Sequence, residues 1–358
     1  MKFGVLVTPG AHVAAQVVKA ERHGFDSAFF VDSPVIFGDI YVSMGAVAVQ
    51  TRTIVLAPGV TNPLTRSAPV TAASLAALNA LAPGRVALGI SVGFTANRAM
   101  GQRNATLGEL ERYVDGVRRL LRGEVAEVDL GGKDVPVQFL NQGRPWINLA
   151  DPVPIYVAAA GPRSLVQAGR IADAIILGGI TDSEVIRACR RYVEDGARQS
   201  GRRAEEIELA ITPSVYVTER EPELPHLVEV LGPKSLAPAV VFSRVVEASG
   251  TVRKELVLDF VRARDAAYAP EPEATEDSRA RHLKAYKDYL TALKRWQYPL
   301  ITQNVLEATS IAGTVDQCCA KIRRLEKEGI RHIILSPLPQ HVDEIGRASC
   351  RERVYVLV

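Results

Sequence analysis

Cysteine is scarce. There are four in 358 residues (Cys189, Cys318, Cys319, Cys350), with no C-x-x-C pair and no histidine at a metal-site spacing. That excludes a disulfide scaffold or a zinc ribbon and fits a reducing compartment, so a cytoplasmic location is expected. An excess of one charge is also missing. The 43 Lys and Arg against 40 Asp and Glu leave a net +3, which gives no reason to expect a nucleic-acid or membrane partner. The six histidines never form H-E-x-x-H, so no metal is expected, and no Walker A loop occurs. Long apolar runs are absent too. The opening FGVLV (3–7) passes straight into Thr8-Pro9-Gly10, too short for an export signal, and the uncharged stretch from Ser67 to Pro83 is Ala- and Thr-rich with Asn79 inside it. The latter reads as a buried helix.

What is present is a large core. Apolar residues make up 47% of the chain and charged residues 23%, which excludes a disordered or fibrous protein. Short apolar runs alternate with amphipathic stretches. Strands are expected at 3–7, 27–31, 54–58, 85–90, 154–159, 173–178, 208–217 and 332–336, most of them apolar throughout, as parallel strands covered on both faces are. Between them lie helical patterns such as GELERYVDGVRRLLRGE, where Leu110, Tyr113, Val114, Val117, Leu120 and Leu121 share one side. Eight strands with intervening helices suit an α/β protein of the (β/α)8 TIM-barrel class. A doubly wound sheet competes, but the first strand ends in TPGAH, which is no G-x-G-x-x-G. A barrel needs about 250 residues, so insertions are expected. Residues 123–153, with Gly131-Gly132, read as a hairpin or ordered loop. Residues 219–304 read as a helical insertion with helices near 252–268 and 277–297. The domain reading is one barrel over 1–346, with 347–358 a non-native or disordered tail that lacks any apolar stripe.

In parallel barrels the chemistry sits just past the strand ends. Strand five runs into Ala159-Ala160-Gly161, and Pro162 suits the first turn of a helix. Small residues there admit a close ligand, and the amides of the helix start, with Arg163 and Ser164 beside them, favour an anion. The same residues also read as an ordinary strand-to-helix turn. Gly59 at the end of strand three permits unusual peptide geometry, and Thr61-Asn62-Pro63 must turn outward. One distractor is Gly89-Ile90-Ser91-Val92-Gly93, which matches the G-x-S-x-G nucleophile elbow. A hydrolase would also need a later acid and a histidine at strand ends. Here His332 lies inside a strand, His226 and His282 lie in the insertion, and His341 has no obvious acid partner.

AERHGFDSAFFVDSP, PGVTNPLTRSAPVTAASLAALNALAPGRVALGIS and VPIYVAAAGP together resemble the bacterial-luciferase-like superfamily of (β/α)8 oxidoreductases. The similarity is to its deazaflavin-dependent branch, which includes methylenetetrahydromethanopterin reductase; it covers roughly residues 2 to 215 and returns at AGTVDQCCAKIRRLEKEGIRHIILSPL. The resemblance implies coenzyme F420 across the barrel mouth and hydride transfer between the deazaflavin C5 and a small organic substrate. It implies a non-prolyl cis peptide at Gly59–Val60, with Thr61 following, behind the ring. It implies a phosphate loop at Ala159-Ala160-Gly161 and Pro162, with Gly178-Gly179 nearby. Asp32 is implied as the acid near the ring and the catalytic residue, although it also reads as a helix N-cap. A homodimer is implied by analogy alone. Two positions depart from the relatives: Ser33 stands where several have His, and Phe94 where an acid is common. The proton then comes from solvent, from the substrate, or from a group such as Asp39, Tyr41 or Arg98, and Phe94 offers an aromatic wall or packs. Two other readings stand beside this one, a monooxygenase using reduced FMN on the same scaffold and a cofactor-free binding protein descended from it.

Overall fold

In the computed structural model, eight apolar runs form parallel strands: β1 (Lys2–Val7), β2 (Ser27–Phe30), β3 (Val55–Pro58), β4 (Leu88–Ile90), β5 (Ile155–Ala158), β6 (Ala174–Ile176), β7 (Glu208–Ile211) and β8 (His332–Leu335). Residues 1–267, 282–283, 292–337, 348–349 and 355–356 are described. The strands follow the order β3-β2-β1-β8-β7-β6-β5-β4, and single bridges from Leu56 to Val86 and from Thr61 to Ile90 carry β3 on to β4. This is the (β/α)8 class expected from the strand pattern.

The chain divides into two compact units. One comprises Leu6–Ala158 and Ile171–Ala174; the other comprises Met1–Val5, Ala159–Arg170 and Ile175–Val358. In the first unit, helix Leu107–Leu121 buries the stripe expected of it, including Leu110, Val114 and Val117. Its start is closed reciprocally: Thr106 Oγ1 accepts from the Glu109 amide at 3.1 Å, and Glu109 Oε2 accepts from the Thr106 amide at 2.7 Å. Residues 123–153 do hold a hairpin, Ala126–Asp129 against Asp134–Val137. Its turn places Gly131 and Gly132 at φ 70° and 84°, a two-residue connection that only glycine-like residues adopt readily.

The second unit departs from the sequence reading in two places. The run 208–217 is not one strand. It breaks at Thr212-Pro213, since proline supplies no amide to the ladder, and Ser214–Val217 pairs instead with Ser310–Gly313 in a separate parallel pair. The insertion begins with an unexpected 26-residue helix, Leu224–Ser249, that runs through Pro233 and Pro238. Of the two helices expected there, one is Lys254–Ala266. The other, near 277–297, falls largely outside the described residues, and its described end is the short 3-10 helix Arg295–Leu300. In the tail, Ala348–Ser349 pairs antiparallel with Tyr355–Val356; its other residues lie outside the described ones. No helix among the described residues is long and apolar enough to cross a membrane.

Three strand starts meet at one carboxylate. Glu208 at the head of β7 accepts from Lys2 Nζ of β1 at 2.7 Å and faces His332 Nδ1 of β8 at 3.3 Å. Burial opposes its charge, but His332 and Lys2 outweigh that and hold the carboxyl down at about 2, below its ordinary 4.5. A carboxyl lowered on folding stabilises fully above its unfolded pKa and loses that contribution as pH falls towards its folded value. Glu208→Gln is therefore expected to flatten the stability profile between pH 4.5 and about 2, read by urea unfolding across that range.

Candidate active site

β2 ends in Phe29 and Phe30, both fully buried, and this anchors the residues that follow at the strand's C-terminal end. Two residues on, Asp32 keeps only 2% of its side-chain surface exposed. It does not cap a helix. That part falls to Asp39, whose Oδ1 accepts from the amides of Tyr41 and Val42 at 2.8 and 3.1 Å at the start of helix Ile40–Ala48. Asp32 instead accepts from Arg66 Nη1 at 2.6 Å, while Arg66 Nη2 reaches Asp39 Oδ2 at 2.7 Å. One guanidinium thus joins the end of β2, the loop after β3 and the head of the next helix, and its carbon lies 5.2 Å from the centre of the Tyr41 ring. Burial works against the Arg66 charge, yet the two carboxylates hold its pKa above the ordinary value.

The sequence reading did not single out Arg66. A signal for it exists: it is the only charged residue between Arg52 and Arg85. A lone charge in so long an uncharged stretch needs a partner once the stretch is buried.

β3 delivers the neighbouring edge. Its register pairs Phe30 with Pro58, so Gly59 and Val60 come next to the residues leading into Asp32, and the Gly59 amide donates to the Phe30 carbonyl at 2.6 Å. The Gly59–Val60 peptide bond is cis. A Cβ at Gly59 would lie 2.7 Å from Phe29 Cβ and 2.9 Å from Leu6 Cδ1, so close packing beneath the strand end requires glycine here. Thr61 is fully buried, tied by backbone bonds of 3.0 Å to Gly89 and Ser91. Asn62 turns the chain outward, accepting from the Leu64 amide at 3.0 Å and donating to Thr65 Oγ1 at 3.2 Å. That turn aims Arg66 back at Asp32.

The three candidate proton donors behave differently. Burial opposes ionisation of Asp39, but the Val42 amide and Arg66 overcome it and hold the group below its ordinary value. Burial pushes the Tyr41 phenol up and raises Tyr113 beside it to about 12. Arg98 stacks over the Phe94 ring at 4.2 Å. Asp39 is thus an ionised acceptor and Tyr41 a neutral phenol at physiological pH. Ser91, the middle of the G-x-S-x-G match, has its hydroxyl accepting from the Gly93 amide at 3.3 Å.

The remaining candidates lie in the other unit. Pro162 opens helix Pro162–Ile171 as expected. Two of the amides expected to serve an anion are already engaged: that of Ala159 donates to the Ile176 carbonyl at 3.2 Å, and that of Gly161 to Ser164 Oγ at 3.0 Å. The turn nevertheless remains open, since a Cβ at Gly161 would meet nothing nearer than Ser164 Oγ at 3.7 Å. Gly178 and Gly179 are covered. A Cβ at Gly178 would press on Phe242 at 3.2 Å, and one at Gly179 on Pro238 at 3.1 Å, so these glycines admit helix Leu224–Ser249 at close range. Asp32, Gly59, Val60 and Thr61 therefore gather in one unit, and Ala159 to Pro162 with Gly178 and Gly179 lie in the other.

The sequence profile of the luciferase-like monooxygenase family matches residues 4–332. The chain belongs to that family. As a luciferase-like protein it is an oxidoreductase, and its relatives include coenzyme F420 enzymes. It is 27% identical over 344 residues to 5,10-methylenetetrahydromethanopterin reductase of Methanolobus tindarius, an alignment spanning 93% of each chain. It is 31% identical over 226 residues to the F420-dependent glucose-6-phosphate dehydrogenase of Nakamurella multipartita, over 59% of this chain and 65% of the relative. Among solved structures, the coenzyme F420 dependent tetrahydromethanopterin reductase of Methanopyrus kandleri superposes with a TM-score of 0.65 at 21% identity, over 94% of this chain and 93% of the other.

Asp39→Ala is expected to cost about 1 kcal/mol by uncapping helix Ile40–Ala48, measured by urea unfolding. The same variant retains the Asp32–Arg66 contact.

Proposed function

We propose that this luciferase-like protein is a coenzyme F420-dependent oxidoreductase acting on a small organic substrate. When bound, the deazaflavin supplies a two-electron hydride carrier at its C5 carbon. The observation that carries the reading is the Asp32 carboxylate, clamped by Arg66 beside the half-exposed Gly59–Val60 edge. A fixed anion next to a bare backbone edge can take a hydrogen bond from a heterocycle's polar rim while the ring rests on the edge. The open turn at Gly161, with the Ser164 hydroxyl on it, has room for a compact anionic tail. These residues fit the group chemically. Asp32 orients, Val60 supports a ring face, and the buried walls of Tyr41 and Tyr113 keep water away from the carboxylate. The cytoplasmic location expected from the scarce cysteines and the homodimer implied by the resemblance belong to the same reading.

A reduced-FMN monooxygenase is the second reading, favoured by the family's own description. The two separate on titration. Saturable quenching of coenzyme F420 fluorescence, with no oxygen consumption in the presence of reduced FMN, supports the deazaflavin; oxygen consumption with reduced FMN supports the monooxygenase. Saturable binding of neither leaves a cofactor-free binding protein. Gly161→Leu is expected to leave the melting temperature unchanged, because the turn is open, and to weaken deazaflavin binding at least about tenfold by filling it. Unchanged affinity in a folded variant would remove Gly161 from the cofactor site.

A further inference from the structure

Burial pushes two lysines of the second unit down to about 8, and their surroundings differ. Lys321 Nζ donates to the carbonyls of Glu307 and Ser310, closing the C-terminal end of helix Gln303–Thr309, with Glu307 and Asp182 in its field. Its burial has a structural account. Lys234 does not. It projects from helix Leu224–Ser249 to the C-terminal end of β8, where Nζ donates to Ser336 Oγ at 3.2 Å and to the Pro337 carbonyl. No charged group among the described residues acts on it, and desolvation alone accounts for its shift. Two of the three ammonium protons are engaged there, and the third has no acceptor among the described residues.

A half-buried cation with no counter-charge among the described residues is costly, and an apolar side chain of the same length would fill the space at less expense. The position is also one where barrels of this kind place their substrates. The backbone beneath is held firmly, since the Ser336 amide donates to the Pro213 carbonyl at 2.9 Å and Ser214 bridges to Ser336. Ser336 accepts from Lys234, and its own hydroxyl proton has no acceptor among the described residues. We infer that Lys234 and Ser336 form an anion subsite that receives a carboxylate or phosphate group on the organic substrate. The inference rests on the oxidoreductase reading for the word substrate, and on nothing else in it.

The test compares the melting temperatures of wild type and Lys234→Met as inorganic phosphate or acetate is added at matched ionic strength. Wild type is expected to gain about 2 °C or more, saturably, with at least one anion, and the variant less than half of that. A phosphate response points to phosphorylated substrates and an acetate response to carboxylates. Without added anion the variant is expected to melt at or above the wild-type temperature, because it sheds a partly desolvated charge. Equal gains in both proteins, no gain in wild type, or a variant that melts several degrees lower or fails to fold would each overturn the subsite. Coenzyme F420 titrated into both proteins keeps the two readings apart. Failure of wild type to bind it removes the cofactor and leaves a Lys234-dependent anion response standing.

Discussion

A carboxylate buried at the end of a β-strand is expensive to hold unless a cation meets it there, and Asp32 meets Arg66 at 2.6 Å. Much of the first unit's local architecture follows from that contact. The loop after β3 must double back for Arg66 to arrive, and Asn62 secures the turn with its side-chain bonds. The other edge of the guanidinium is taken by Asp39, which also starts the next helix. A planar fork can bridge two carboxylates in this way where the point charge of a lysine would serve them less well. The carboxylate is therefore held in one place at the C-terminal end of β2.

The barrel was legible in the sequence because its strands are short apolar runs separated by amphipathic stretches, a pattern that survives without any knowledge of contacts. The hairpin at 126–137 announced itself through Gly131-Gly132, and helix Leu107–Leu121 through its apolar stripe. The site was legible only in part. Asp32 was visible as the acid after β2, but its partner lies 34 residues away in a loop with no periodic pattern. Whether Asp32 or Asp39 would cap the following helix depends on where that helix begins, and local preference cannot fix such a boundary. Helix Leu224–Ser249 was hidden by its two internal prolines, a penalty that packing in the folded unit overrides.

The glycines after β6 teach a related lesson. The resemblance sets Gly178-Gly179 near the phosphate loop, and in the structure a close approach to them is made by Phe242 and Pro238 of the inserted helix. The same helix carries Lys234 to the end of β8. An insertion with little recognisable pattern thus shapes the strand ends on its side, and it is the segment most free to differ between enzymes with different substrates.

The central claim is that Asp32 and Arg66 act as one unit. A double-mutant cycle tests it most directly, with Asp32→Asn, Arg66→Met and the double variant each unfolded in urea. The account predicts a coupling of about 2–3 kcal/mol, with the double variant recovering much of what either single change loses. Losses that simply add, leaving a coupling below about 0.5 kcal/mol, would contradict it.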